Sequence, residues 1–212
     1  GGQAFRWRRE AVTSSQTSEV WTGTWSEQVA QLRLNHHQLE WRTPAAHYAA
    51  TAAALPRYLG LDLDHHALVD SLPWRSDPHL ARCLVAFPGL RILRQPLGET
   101  LLGFLCSATK QIVQIKQMVA LLAERHGAAS PAATTLPHRL PTWTELAAIP
   151  EIDLRACLLG FRAKYIHASA QYLASHPGWL EETEQLPYAA AKARLLTLPG
   201  VGEKVADCVL LF

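Results

Sequence analysis

The stretch Leu195-Leu196-Thr197-Leu198-Pro199-Gly200-Val201-Gly202-Glu203-Lys204-Val205-Ala206-Asp207-Cys208 decides how the rest of the chain is read. It reads as a helix end, a tight hairpin and a helix start. Leu195, Leu196 and Leu198 close an apolar helical pattern. Pro199-Gly200 stops it, because proline cannot continue the hydrogen-bond ladder and glycine accepts positive φ. Gly202 lets the backbone approach something closely. Lys204 opens a second helix that runs on to Phe212. The unpaired N–H groups at that helix start form an anion site, and the natural anion is a phosphate. On these residues alone Lys204 has two readings, a reacting amine or a surface lysine that grips a phosphate.

Composition narrows the setting. A chain of 212 residues can bury a substantial core in one or two domains. Half the residues are apolar (49%) and 18% are charged, as in an ordinary soluble globular protein. The net charge is +2: basic and acidic residues balance at eight each over residues 1–87, and at twelve against ten over 88–212. Bulk charge therefore does not mark a nucleic-acid binder, and any such surface must come from local placement. Cys83, Cys106, Cys157 and Cys208 are scattered, without a CxxC pair, and read as reduced thiols; no zinc or iron–sulfur spacing is present. The opening residues lack a signal-peptide pattern, and no apolar run reaches membrane length. The chain opens as a strand already in progress and stops inside a helix, which reads as a fragment clipped at both ends.

Before the hairpin, the first forty residues read as antiparallel β. Phe5 and Trp7 alternate with Arg6 and Arg8, and Val20–Trp25 is β-branched and aromatic. Val29–Leu34 alternates, Asn35-His36-His37 turns, and Gln38–Arg42 returns. The polar Thr13–Ser18 stretch is a loop, and His36 and His37 read as solvated turn residues rather than metal ligands. From Thr43 the period becomes helical. Ala45–Tyr58 is alanine-rich, Asp64 and Asp77 look like N-caps, and Pro88-Gly89 marks a boundary. The expected domains are thus 1–87 and 88–212. Further helices are predicted from Pro96 to Cys106, from Lys110 to His126 with Ile112, Ile115, Val119 and Leu122 on one face, from Glu151 to Leu159, from Phe161 to Ser175 and from Pro187 to Leu198. Thr142 with Glu145 forms a capping box. The fold class is α+β: a small antiparallel sheet followed by an all-α unit carrying the hairpin.

The hairpin with Lys204 resembles the helix-hairpin-helix of the base-excision DNA glycosylases that also cleave the backbone. PGVGEKVADC is most similar to the 8-oxoguanine DNA glycosylase family. The likeness extends to GQAFRWR at the start, Arg91-Ile92-Leu93-Arg94-Gln95, Leu105-Cys106-Ser107 and Leu159–Tyr165. It implies a glycosylase and AP lyase that extrudes 8-oxoguanine from duplex DNA, acts as a monomer inside the cell, needs no cofactor and touches no membrane. Lys204 then matches the nucleophile that attacks C1′ and forms a Schiff base. Gly2 matches the glycine whose carbonyl accepts from N7–H of 8-oxoguanine, and Cys208 the cysteine beside the flipped base. Lys204 and Cys208 are four apart and share a helix face. Phe161 matches an aromatic wedge and Arg162 an arginine that reaches the orphaned cytosine. Gly200, Gly202 and Val205 match amides that grip a phosphate, and the carbonyls of Leu196, Leu198 and Val201 a structural cation.

Two positions depart from the family pattern. Thr109 replaces an asparagine that supports the opposite cytosine, and Gln114 an arginine that contacts it; both weaken a strict preference for cytosine opposite the lesion. The family's catalytic aspartate falls beyond Phe212, so the piece as given is expected to be inactive. Asp207 reads as a packing or helix residue instead. An amine attacks only when unprotonated, and a free lysine titrates near ~10.4. The helix start, and burial against Val205, Val209 and a flipped base, are expected to press that value down for Lys204. By themselves, Phe161 also reads as a core residue and Arg162 as a surface arginine. A noncatalytic hairpin DNA-binding protein, or a related glycosylase for another damaged base, are the competing readings.

Overall fold

The structure is a computed structural model describing residues 3–10, 19–36, 38–129 and 138–212. Gly2, the Thr13–Ser18 loop and His37 lie outside the described residues. Among the described residues the chain opens with β1 (Trp7–Arg9), β2 (Val20–Trp25), β3 (Gln28–Asn35) and β4 (Gln38–Arg42). They form one antiparallel meander in the order β1-β2-β3-β4, with Trp7 opposite Gly23 and Leu32 opposite Trp41. His36 sits exposed at the β3–β4 turn with φ 52°.

The predicted helices follow in order, with one short helix more that the sequence did not announce. α1 (Tyr48–Tyr58) comes after a short 3₁₀ turn; α2 (His65–Ser71) is capped by Asp64 through Ala67 N, and α3 (Pro78–Ala86) by Asp77 through His79 N and Leu80 N. α4 (Leu97–Leu105) is buried almost all round, and α5 (Ile112–His126) buries Ile115, Val119 and Leu122. Ile112 of the expected stripe instead faces solvent, because it is the first residue of α5 and stands beyond the edge of the core. α6 (Trp143–Ala148) carries the predicted capping box, with Thr142 Oγ1 accepting from Glu145 N at 3.2 Å. α7 (Glu151–Leu154) is shorter than predicted: Cys157 and Leu158 leave the helical region, and Leu158 takes φ 63° ahead of Gly160. α8 (Arg162–Ser175), α9 (Trp179–Glu184), α10 (Tyr188–Leu195) and α11 (Glu203–Leu211) complete the chain.

Two buried clusters organise these elements. Ala4, Trp7, Trp25, Ala30, Leu55 and Tyr58 form one between the sheet and α1. Within it, Trp7 Nε1 donates to Tyr58 Oη at 2.8 Å, and Trp25 stacks on Tyr58 at 4.4 Å. The larger cluster joins α4, α5, α6, α8, α10 and α11, and the sheet side contributes Phe5 to it. Phe5 meets Phe104 edge-on at 5.6 Å, and Phe104 stacks on Phe212 at 5.8 Å.

A charged seam ties the β2–β3 turn to the helices. Ser26 N donates to Glu99 Oε1 at 2.7 Å, while Arg139 bridges Glu27 and Glu145 at 2.8 and 2.7 Å. Burial pushes the Glu99 carboxyl up to about 7 against the pull of the Ser26 amide and Arg6. Glu145, bonded to Arg139, is held down at about 2. A groove of about 1480 Å³ runs from α2 and α3 to the last residues of α11; its lining includes Phe212 but neither Lys204 nor Cys208.

Candidate DNA-reaction site

The hairpin is built from the protein side first. α10 ends as Leu196 N donates to the Lys192 carbonyl at 3.0 Å, and Val201 N closes the turn onto the Leu198 carbonyl at 3.2 Å. Leu195, Leu198 and Val201 are buried and anchor both limbs in the core. Gly200 takes φ 81° and lies against Tyr165 of α8: a Cβ there would stand 2.7 Å from Tyr165 Cβ. Ser169 Oγ donates to the Pro199 carbonyl at 3.1 Å, fixing the loop to α8.

Gly202 behaves differently. It is the N-cap of α11 with φ −101°, and a Cβ there would meet nothing within 4 Å. Ala206 N is the first amide of α11 to turn inward, onto the Gly202 carbonyl at 2.9 Å. The amides from Gly202 to Val205 precede it and point out of the helix end. That open, side-chain-free turn is shaped for an anion.

Lys204 is the second residue of α11 and is exposed. Cys208 lies one turn further on, half-buried against the core. Asp207 accepts from Tyr188 Oη at 2.6 Å and pairs with Lys192 at 2.8 Å. It ties α11 to α10, which is the structural role read from the sequence.

On the far side of α8, Phe161 is 49% exposed. That removes the core reading and leaves a ring presented to solvent, edge-on to Tyr165 at 6.4 Å. Arg162 is 3% exposed, so it is not the surface arginine of the alternative reading. Its guanidinium donates to the Leu159 carbonyl at 3.2 Å, to the Ala108 carbonyl and to Thr109 Oγ1 at 3.1 Å. It also lies 4.4 Å from the Phe161 ring centroid. Carbonyls of two loops need a fixed cation here, and Arg162 supplies it while backing the Phe161 ring. Its Nε is buried without a partner among the described residues. Thr109 holds φ 55°, a strained value for a threonine, with its hydroxyl on Arg162. Gln114 is exposed, and its Oε1 accepts from Gln111 N at 3.1 Å, so it caps α5. The structure thus joins Phe161, Arg162 and Thr109, and separately Lys204 and Cys208; sequence reasoning missed the role of Lys192 and Tyr188 beside them.

The chain thus sets an antiparallel sheet ahead of a helical unit, with a lysine at the open head of a helix-hairpin-helix. The chain belongs to the 8-oxoguanine DNA glycosylase family. The family profile for the 8-oxoguanine DNA glycosylase N-terminal domain matches residues 1–101. The N-glycosylase/DNA lyase OGG1 of Arabidopsis thaliana is 29% identical over 227 residues, covering 100% of this chain and 58% of that protein. An N-glycosylase/DNA lyase of Saccharomyces cerevisiae is 33% identical over 172 residues, 74% of this chain and 44% of its own length. The chain therefore spans about half the length of these relatives. Among solved structures, MBOgg1 in complex with a low-affinity DNA ligand aligns with TM-score 0.85 and 30% identity. The apo 8-oxoguanine glycosylase/lyase of Clostridium acetobutylicum aligns with TM-score 0.86 and 27% identity. Each alignment covers 100% of this chain and 70% of the other.

Proposed function

We propose that this chain carries the nucleophile, the phosphate grip and the wedge of a glycosylase/AP lyase that excises 8-oxoguanine from duplex DNA. The observation that carries the reading is the exposed Lys204 on an open amide turn, beside a Gly202 at which an added Cβ would meet nothing within 4 Å. The relatives named N-glycosylase/DNA lyase, and a Clostridium acetobutylicum structure holding duplex DNA with cytosine opposite 8-oxoguanine, support it.

In this reading a flanking phosphate seats on the amides around Gly202 and Val205, while Phe161 fills the gap left by the extruded nucleotide. Extrusion costs a few kcal/mol, and stacking on an aromatic returns about 1–3 kcal/mol per base. The neutral Lys204 amine attacks C1′, the C1′–N9 bond breaks, and the base departs with the bonding pair. Loss of the ring oxygen bond then leaves a Schiff base on Lys204, from which β-elimination cleaves the strand. Cys208, one turn along, lines the face where the base arrives. Gly2 remains the assignment for N7–H. Arg162 sets the Thr109 loop and the wedge, and reaches an orphaned cytosine only after releasing them.

The Leu198 carbonyl already accepts from Val201 N and keeps a second lone pair, so with the carbonyls of Leu196 and Val201 it still fits a structural cation. A monomer working inside the cell, and the division at residues 87 and 88, complete the proposal. Borohydride trapping on duplexes with 8-oxoguanine opposite each base tests it, using the full product of the gene beside Lys204→Gln. An adduct in wild type and none in the variant is expected. Retained duplex binding without any adduct overturns the catalytic reading in favour of a hairpin that only grips DNA.

A further inference from the structure

Lys192 of α10 reaches across the hairpin to both acidic residues that flank Lys204. Its Nζ lies 2.6 Å from Glu203 Oε2 and 2.8 Å from Asp207 Oδ1. Tyr188 Oη donates to the same Asp207 oxygen at 2.6 Å. Asp207 stands three residues after Lys204 on α11, a spacing at which helical side chains are neighbours. It is thus placed to pair with Lys204, and pairs with Lys192 instead. The Lys192 side chain is 22% exposed, against 71% for Glu203 and 45% for Asp207, so the cation is the better-held member and the carboxylates come to it.

We propose that Lys192 is a positioning residue for Lys204: it draws Glu203 and Asp207 across the hairpin and keeps these two carboxylates off the nucleophilic amine. The proposal rests on Lys204 being the nucleophile. A carboxylate beside an amine holds its proton, and a protonated amine does not attack. The pairing also offsets one of the two negative charges near the turn that would meet a phosphate.

Lys192 is held above its ordinary range by its bonds to Asp207 and Glu203, and Asp207 below its own by Lys192 and Tyr188. Several charged groups on the neighbouring elements are engaged elsewhere. Arg194 of α10 pairs with Glu182 of α9 at 2.6 Å, Glu184 of α9 accepts from Leu97 N at 3.3 Å, and Glu99 of α4 accepts from Ser26 N at 2.7 Å. Lys164 of α8 lies over the Tyr165 ring at 4.8 Å. Lys192 is therefore the cation that competes with Lys204 for Asp207.

The test is the pH profile of borohydride trapping by the full gene product. Lys192→Gln is expected to move the alkaline rise to higher pH and to slow trapping at pH 7 by ~2- to 5-fold, the range an exposed ion pair supports. Lys192→Arg restores the wild-type profile. Lys192→Gln combined with Glu203→Gln and Asp207→Asn restores it as well, which loss of a purely structural tie would not do. A Lys192→Gln profile superimposable on wild type, or a triple variant as slow as the single one, overturns the proposal. Failure of wild type itself to trap overturns the nucleophile assignment beneath it.

Discussion

Gly200 and Gly202 are two residues apart in one turn, and the structure assigns them opposite reasons for being glycine. At Gly200 the backbone holds φ 81°, and an added Cβ would stand 2.7 and 2.8 Å from Tyr165 Cβ and Cγ. Those atoms root a ring packed in place and cannot swing away. The left-handed conformation costs an L residue about 1–2 kcal/mol, and overpacking about 1–3 kcal/mol. For a chain of this size each kcal/mol is worth ~2–4 °C. Gly200→Ala is therefore expected to lower Tm by ~5–15 °C. At Gly202, φ is −101° and no atom lies within 4 Å of the added Cβ. A slightly poorer N-cap and a less flexible unfolded chain offset each other to within about 1 kcal/mol. Gly202→Ala should melt within a few degrees of wild type, yet its methyl occupies the approach of a phosphate. Losing one hydrogen bond to a charged group costs about 1.5–3 kcal/mol, so duplex affinity should fall by ~10- to 100-fold. Thermal unfolding and fluorescence anisotropy on a labelled duplex at fixed salt measure the two effects. If Gly202→Ala melts as low as Gly200→Ala, or binds duplex as tightly as wild type, the assignment of the open turn to a phosphate is refuted.

Two other perturbations follow from the geometry. The folded value of Glu99, about 7, lies above its unfolded 4.5, so the folded state holds the extra proton between those values. Stability should then fall as pH rises through that window, by on the order of 1–3 kcal/mol, and stay level above it. Urea unfolding at pH 5 and pH 8 should show this loss in wild type but not in Glu99→Gln, which keeps an acceptor for Ser26 N. An equal loss in both would place the pH dependence elsewhere. Phe161→Ala removes a half-exposed ring, so stability should change by less than about 1 kcal/mol while lesion-duplex affinity drops by roughly 10-fold. A large fall in Tm would mean that the ring serves the core after all.

What could be read in the sequence was what a few neighbouring residues settle among themselves. The caps of Asp64, Asp77 and Thr142 are closed by amides two or three residues away, and each appears where the sequence placed it. The same holds for the hairpin, where Pro199-Gly200 ends one helix and Gly202 starts the next. α9 was missed because its six residues show no apolar period; Trp179 and Thr183 are buried only once α10 lies against them. The break at Leu158 carries no glycine or asparagine to announce it, and a leucine at φ 63° is held there by its surroundings.

Charge was the least legible property of the site, and the reason is geometric. Arg162 is buried where it donates to the Ala108 carbonyl and the Thr109 hydroxyl, more than fifty residues earlier, which no local pattern records. Glu203, Lys204 and Asp207 look from the sequence like a set that pairs within its own helix, since their spacing allows it. The angle between α10 and α11 decides otherwise, bringing Lys192 from the other limb to the two carboxylates. The sequence places a lysine at the head of a helix; the tertiary fold determines whether its acidic neighbours are committed to another cation. A site of this kind is identified by its short motif, but the pairing of the acidic residues around it is set by the opposite limb.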